Sequence, residues 1–495
     1  MTLAGEQAAK WQADFGALVG TGRVSTDLSD DGHERRRLGL AVIAPGSAVK
    51  QLDLPALIRK AARLLAPSGM LLLLVHNRLA HRWSLGGRRH AAGTIFGLRR
   101  ALRAAGLEYN EFLAVPHPDE PEEFVRTGTS DAAAVDAGPF RWARALMRRG
   151  GWLHRGFLYA ASPPGAGLRA MVRDLASGMG CLDMLAEARV TRFDLRDRGT
   201  LVLLLEGGGS KASVCRVAGG PESVELLEHA TNALARLHRQ TQLERDLGSM
   251  IPRPIASGRV RGHIAHLETR LPGTIAWRIA GHQSLESRTF DDLCQFLAIF
   301  NGHTAQATAM DENLVARLLA PVPERPLPRV APPLERDLAV LCEMLRSRLL
   351  GRKRFLVWGH GDFGYGNALA DAATGACTGV MDWDTAREHE LVGVDLVNFL
   401  VQRHRILRRL SLTGALRHVG EILLKEGPRA IDPRLQYAER LGLDREAIHG
   451  ALGLAVLRFF QRDARYPAVL AREQDDLTAA AAWCVTALRD PPGGV

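Results

Sequence analysis

The sequence predicts an α/β layer over residues 1–162 and an α+β arrangement over the remainder. Three observations carry this. Strands alternate with helices from 38 to 161. Residues 168–268 are strand-rich with one helix, and 274–490 are mostly helical with one short β-hairpin. At 495 residues the chain also exceeds what one core usually carries, so two or three domains are expected.

In the first region, Leu38 to Ile43 reads as a buried strand that stops at Pro45-Gly46. Asp53 to Leu65 has helical spacing (Leu54, Leu57, Ile58, Ala61, Leu64, Leu65), with Pro67-Ser68-Gly69 as its stop. Met70 to Val75 is the next strand. Gly93 to Ala105 is an amphipathic helix closed by Gly106, and Leu107 to Val115 and Gly156 to Ala161 are further strands. Ser162-Pro163-Pro164-Gly165-Ala166-Gly167 is read as a linker, because its prolines and glycines exclude regular structure.

In the second region, Thr200 to Leu205 and Ala212 to Ala218 form a hairpin around Gly207-Gly208-Gly209. That glycine run is read as a turn and not as a phosphate-covering loop. Pro221 opens a helix with Val224, Leu227, Thr231, Leu234 and Leu237 on one face. The third region is interrupted by a Pro-rich loop at 318–335 and by the hairpin at 356–383.

Hydrophobic residues make up 46% and charged residues 24%, as in ordinary globular proteins. The six cysteines are scattered without a CxxC pair, so reduced thiols are expected, and neither a disulfide frame nor a zinc site. The start, MTLAGEQAAKWQADF, lacks a basic segment followed by an apolar run, and Met70 to Val75 is too short to span a bilayer. A cytoplasmic protein without a membrane span is expected. Of the net charge of +10, residues 1–160 hold +7, with 22 Lys/Arg against 15 Asp/Glu. No zinc finger, RNP motif or interleaved basic and aromatic pattern points to nucleic acid, so a solvated basic face or an acidic partner accounts for the excess.

The chemistry concentrates in Val357 to Asn398. His360-Gly361-Asp362-Phe363-Gly364-Tyr365-Gly366-Asn367 is followed by a strand, a turn at Asp371 to Gly375, a second strand, and Met381-Asp382-Trp383-Asp384. Phosphoryl transfer needs Mg²⁺ on nucleotide phosphates, ligands to hold it, and a carboxylate to orient the attacking hydroxyl. Asp362 and Asn367 are five residues apart, the spacing of base and metal-binding Asn in a protein-kinase catalytic loop. The hairpin from Ala368 to Val380 would fold back and deliver Asp382 beside Asn367. Asp362 would be the base, and Asn367 and Asp382 oxygen ligands suited to a hard cation.

HGDFGYGN followed by VMDWD, then Gly393-Val394-Asp395-Leu396, resembles the motif series of the aminoglycoside phosphotransferase and choline-kinase-like superfamily. The resemblance covers residues from about 165 to 490. It implies a bilobal protein-kinase-like fold, with an N-lobe at 168–268 and a helical C-lobe at 274–490, and ATP and Mg²⁺ as cofactors. Carried over by position, Asp362 is the catalytic base, Asn367 and Asp382 bind the metal, and Asp384 assists the metal or substrate. His360 and Asp395 brace the loop.

The family places a phosphate-steadying Lys on the third strand, paired with a helical Glu. Here Arg216 stands at that position, and Lys211 would face the other way. Arg keeps the charge but is longer and planar. Glu228, or Glu225 one turn earlier, is the candidate partner. Leu267 to Gly273 resembles the segment that links the lobes and reads adenine, which marks Glu268, Thr269 and Leu271 as nucleotide neighbours.

Ala61 to Leu72 (AARLLAPSGMLL) and Gly97 to Phe112 (GLRRALRAAGLEYNEF) are similar to the second half of class I SAM-dependent methyltransferases. That implies a truncated Rossmann-like domain over 1–162. No glycine-rich loop follows a first strand, so the cofactor-binding half is missing, and docking on the kinase-like part or dimerisation is the expected role. The function expected for the chain is phosphoryl transfer from ATP to a hydroxyl or amino group of a small molecule. Two alternatives are a pseudokinase scaffold that binds nucleotide, favoured by Arg216, and a methyltransferase with an accessory kinase-like module.

Overall fold

The computed structural model describes residues 23–25, 38–43, 54–77, 92–93, 95–116, 121–126, 156–164, 168–185, 187–196, 200–207, 212–218, 221–260, 263–320, 330–464 and 467–489. The chain divides into two compact units, each discontinuous in sequence. One is Met1–Leu227 with Pro254–Arg270; the other is Glu228–Arg253 with Leu271–Val495. The helix Pro221–Leu237 passes from the first into the second.

The first unit is organised by one sheet, 12-stranded among the described residues. Arg23–Ser25, Leu38–Ile43 and Leu65–Asn77 run parallel. Gly156–Ser162 then pairs antiparallel with both Leu65–Asn77 and Glu108–Pro116. The helices Leu54–Leu64 and Ile95–Ala104 complete the expected strand and helix alternation. The second helix stops where Gly106 takes φ +72°, with Gly106 N–H donating to Arg103 O and Leu107 N–H to Leu102 O. This two-bond cap needs a left-handed residue, which Gly supplies without a Cβ penalty. Arg99 ties the helix to its strand by gripping the buried Glu111 through Nε (2.9 Å) and Nη2 (2.8 Å).

The sheet does not stop at the Pro/Gly-rich stretch after Ser162. Pro121–Arg126 pairs with both Glu108–Pro116 and Arg189–Arg196, and the latter leads into Thr200–Glu206, Ser213–Ala218, His263–Thr269 and Pro254–Val260. The apolar core follows the sheet across: Phe112 meets Phe193 edge to face at 4.9 Å, and Met70 and Ala160 join Leu175, Leu203 and Leu267 in one cluster. The expected hairpin at 200–218 is present, but Gly208, Gly209 and Lys211 lie outside the described residues, as do Gly165 to Gly167.

In the second unit a small sheet joins Thr274–Ile275, Ala368–Ala370 and Cys377–Val380, the last two forming the expected hairpin. A second sheet joins Gln306–Ala309, Lys353–Gly359 and Arg387–Leu391. Helices Gln283–Thr304, Pro332–Leu349, Val394–Arg408, Leu412–Glu426, Arg445–Asp463 and Pro467–Arg489 enclose them. Helix Arg445–Asp463 is buried along almost its whole length, which explains its unbroken apolar run from Leu452 to Leu457. Buried within the same unit, Arg458 clasps Glu390 through Nε (2.6 Å) and Nη2 (3.1 Å). All six cysteines are free thiols. No helix among the described residues is long and apolar enough to cross a membrane.

Candidate active site

The strand Lys353–Gly359 ends at the loop 360–367, and the loop's own side chains hold its shape. Asp395, in the first turn of helix Val394–Arg408, accepts from the backbone N–H of His360 (2.6 Å) and Gly361 (3.0 Å). Burial pushes the Asp395 carboxyl up, against the opposing pull of His360 and these two N–H groups. His360 Nε2 lies 3.0 Å from the carbonyl oxygen of Met381, and its Nδ1 lies 3.3 Å from the N–H of Asp362. A carbonyl can only accept and an amide N–H only donate, so the ring carries its proton on Nε2. His360 thereby links the loop to the segment that bears Asp382.

Two alternate side chains anchor the loop. Phe363 packs on Phe296 and Phe399, and Tyr365 stacks on Phe399 while its hydroxyl donates to Glu286 Oε1 at 2.7 Å. Arg403 also donates to Glu286 (2.7 and 3.2 Å). Asp362, immediately before these anchors, keeps 23% of its side chain exposed. Gly361 sits at φ +82°, and a Cβ there would stand 2.5 Å from Thr385 O. Gly361→Ala is therefore expected to destabilise the protein by about 1–3 kcal/mol, the usual cost of an imposed left-handed residue, and to lower turnover. Chemical denaturation and a turnover assay on the same variant check this; unchanged values would show that the loop relaxes freely.

Asp362 and Asn367 are brought together as expected. Asn367 Nδ2 donates to both the backbone oxygen of Asp362 and its Oδ2, each at 2.9 Å. That orientation turns the amide nitrogen toward Asp362 and leaves Oδ1 as the acceptor end of the side chain. The Met381 N–H donates to Asn367 O at 2.8 Å, so the hairpin sets Asp382 one residue from Asn367's backbone partner. Asp382 has a left-handed backbone (φ 68°), uncommon for a residue with a side chain. Trp383 is fully buried, donates Nε1–H to Val380 O at 3.0 Å and packs on His360, and it separates the two buried carboxylates of Asp382 and Asp384.

Two contacts on Asp362 escape any reading of the sequence. Gln402 Nε2 donates to Asp362 Oδ1 at 3.1 Å, and Arg462 Nη1 lies 3.3 Å from the same oxygen. They stand 40 and 100 residues away in sequence, so no local motif signals them.

Of the expected nucleotide neighbours, Arg216, Glu268 and Thr269 lie in the first unit, and Glu228 and Leu271 in the second. Arg216 Nε donates to the buried Glu268 Oε1 at 3.1 Å. His266, opposite Arg216 on the next strand, is buried, with neither ring nitrogen hydrogen-bonded among the described residues. Burial, with Arg216 nearby, holds its pKa down against the pull of Glu268. Glu228 is exposed on helix Pro221–Leu237, and Leu271 is buried against Gly379 of the hairpin.

Residues 196–405 match the model of the phosphotransferase enzyme family. Solved structures similar to the chain include an aminoglycoside phosphotransferase from Streptomyces rimosus in complex with ADP and streptomycin, 16% identical, covering 59% of this chain and 98% of its own, TM-score 0.37. An ethanolamine kinase from Plasmodium vivax is 10% identical and covers 65% of this chain and 87% of its own, TM-score 0.36. A macrolide 2'-phosphotransferase from Brachybacterium faecium is 16% identical and covers 65% and 100%, TM-score 0.29. No curated protein matches the chain.

Proposed function

We propose that the chain transfers the γ-phosphoryl group of ATP to a hydroxyl (or amino) group of a small molecule, with Asp362 as the base that orients the nucleophile. The observation that supports this best is the triangle of Asp362, Asn367 and Met381-Asp382, joined by hydrogen bonds of 2.8 to 2.9 Å. Its donor set fits Mg²⁺. Among the described residues no three His, Cys, Asp or Glu gather in a metal-holding cluster. The set is instead one amide oxygen with the carboxylates of Asp382 and Asp384, and Mg²⁺ is usually held by one or two carboxylates, waters and substrate phosphates. The ion, held by Asn367 and Asp382 with Asp384 assisting, would neutralise charge on the nucleotide phosphates.

The protein's own contribution is positioning and fixed charge. Asp362 holds the acceptor hydroxyl in line and takes its proton. Arg216 supplies the positive charge that a Lys supplies in the family, with Glu268, Thr269 and Leu271 near the nucleotide and Glu228 as the helical carboxylate. The amino-terminal strands are read as half of a methyltransferase-like sheet whose work is docking or dimerisation. A cytoplasmic location suits these cofactors.

Asp382→Ala is expected to abolish Mg²⁺-dependent ADP binding in calorimetry. ADP that binds the variant as well as before, and still needs Mg²⁺, would reject the metal assignment. One observation favours a second reading, a nucleotide-binding scaffold without turnover: Arg216 is already engaged by a buried carboxylate. ADP release that depends on an added acceptor excludes it.

A further inference from the structure

We infer that His266 is a reserve counter-charge for Glu268: it takes up a proton when Arg216 leaves Glu268 for the phosphates of the nucleotide, so that nucleotide and one proton bind together. This rests on the phosphotransferase reading above and removes the conflict between the work assigned to Arg216 and its ion pair with Glu268. All three residues lie in the first unit. Arg216 stands directly opposite His266, and Glu268, two residues further along, shares their face of the sheet. Arg216 Nε donates to Glu268 Oε1 at 3.1 Å, and His266 Nε2 lies 3.8 Å from the other oxygen, Oε2. That is too long for a hydrogen bond and short enough for a small turn of either side chain to make one. Glu268 and His266 keep 5% and 2% of their side chains exposed, and Arg216 12%.

A buried imidazole with both nitrogens unpaired among the described residues is costly, and this one sits beside a buried carboxylate. While Arg216 supplies the counter-charge, His266 is neutral at pH 7: burial holds its pKa below the ordinary histidine value, Arg216 pushes the same way, and Glu268 pulls against both. Withdrawing the guanidinium to an anionic ligand changes two of these together. The repulsion from Arg216 weakens, and Glu268 becomes a buried carboxylate without its partner, a strongly unfavourable state. A proton taken from the buffer then leaves both ring nitrogens protonated, and Nε2–H donates to Oε2. Arg216 serves the phosphates and the imidazolium takes its place. No other charged side chain stands ready for this among the described residues. Glu225, on the helix Pro221–Leu237 whose Leu227 shares an apolar cluster with Ile264, is exposed. On the strand Pro254–Val260, Ser257 stands opposite His266 and does not titrate, and Arg259 beyond it is exposed. The sign follows from the proton count. The nucleotide-bound state holds one more proton in the window between the depressed pKa of His266 in the free protein and its higher pKa beside a released Glu268, so affinity falls as pH rises through that window.

The test uses the full chain with Mg²⁺ and ADP as the probe. Calorimetric titrations in two buffers of different ionisation enthalpy, from about pH 5.5 to 8, count the protons taken up. The unaltered protein should take up as much as about one proton per ADP, and its Kd should rise by as much as about tenfold per pH unit inside the window. His266→Asn should lose that uptake; the titration of the nucleotide's own phosphates is common to both proteins, so the difference between them is the quantity read. The same variant should bind ADP about 10- to 100-fold more weakly at the acid end and equally well at the alkaline end, a convergence that a merely structural role of the ring would not give. Glu268→Gln needs no counter-charge and should also lose the uptake. If His266→Asn does not fold, the unaltered chain with histidine labelled by ¹³C at Cε1 decides: one of the 17 rings should pass from neutral to charged when ADP is added, and none in Glu268→Gln. Equal uptake in His266→Asn and the unaltered protein, or no ring that becomes charged with ADP, would overturn the inference and leave the nucleotide reading standing. No binding of ADP to the unaltered protein at millimolar concentration would remove the nucleotide reading, and the inference with it.

Discussion

Asp362→Asn is expected to cut turnover by a factor of about 10² to 10⁴, the usual worth of a positioned base, with nucleotide affinity little changed. The geometry argues for the upper part of that range. Three donors converge on this carboxylate: Asn367 Nδ2 on Oδ2, and Gln402 Nε2 and Arg462 Nη1 on Oδ1. An asparagine offers one acceptor oxygen and an NH₂ in place of two oxygens, so one side of the fan must face donor against donor. The variant would lose its proton acceptor and the posture of its neighbours together. Steady-state kinetics with ADP titration separates the two quantities. Turnover at the level of the unaltered protein would remove Asp362 from the mechanism.

Glu390→Ala should have the largest effect on stability, about 3–5 kcal/mol, because it leaves a buried guanidinium without its counter-charge. Arg458 and Glu390 keep only 3% and 1% of their side chains exposed. Arg458 also donates to Leu318 O at 3.1 Å and to Gln461 Oε1 at 3.0 Å, but these are neutral acceptors. Urea denaturation should show a lower midpoint at an unchanged slope. Replacing both partners by apolar residues of similar volume should restore most of the loss, since the pair's desolvation penalty goes with it. A Glu390→Ala midpoint like that of the unaltered protein would mean that water reaches the pair.

The loop was legible because its chemistry is local. Five residues separate Asp362 from Asn367, and a hairpin with its own turn signal at Asp371 to Gly375 returns the chain to Asp382. Gly106 as a helix stop and Pro221 as a helix start were readable for the same reason. What pairs at long range was not. Pro121–Arg126 opens on a proline and carries two glutamates, so nothing in it announces a strand that joins two sets of strands into one sheet. Arg216 pairs with Glu268, two residues beyond its cross-strand neighbour His266, and only the register shows that diagonal. The helix Leu54–Leu64 ends just before Pro67-Ser68-Gly69, as that stop signal marks, but the pairing of Leu65 with Leu38 ahead of a register shift to Met70 is visible only in the sheet. Gln402 and Arg462 reach Asp362 from helices whose sequences read as ordinary apolar packing.

The interleaving of the two units also sets a clock on synthesis. The edge of Ser213–Ala218 that will receive His263–Thr269 leaves the ribosome first, followed by helices that belong to the other unit. At about 5–20 residues per second, that edge waits roughly 3–10 s for its partner strand. Residues 228–253 are likewise made before the body of their own unit, which begins at Leu271. During that interval the nascent chain displays an unpaired row of N–H and C=O groups, the kind of surface that recruits stray strands. A cell that makes this protein has a holding problem to solve before it has an enzyme.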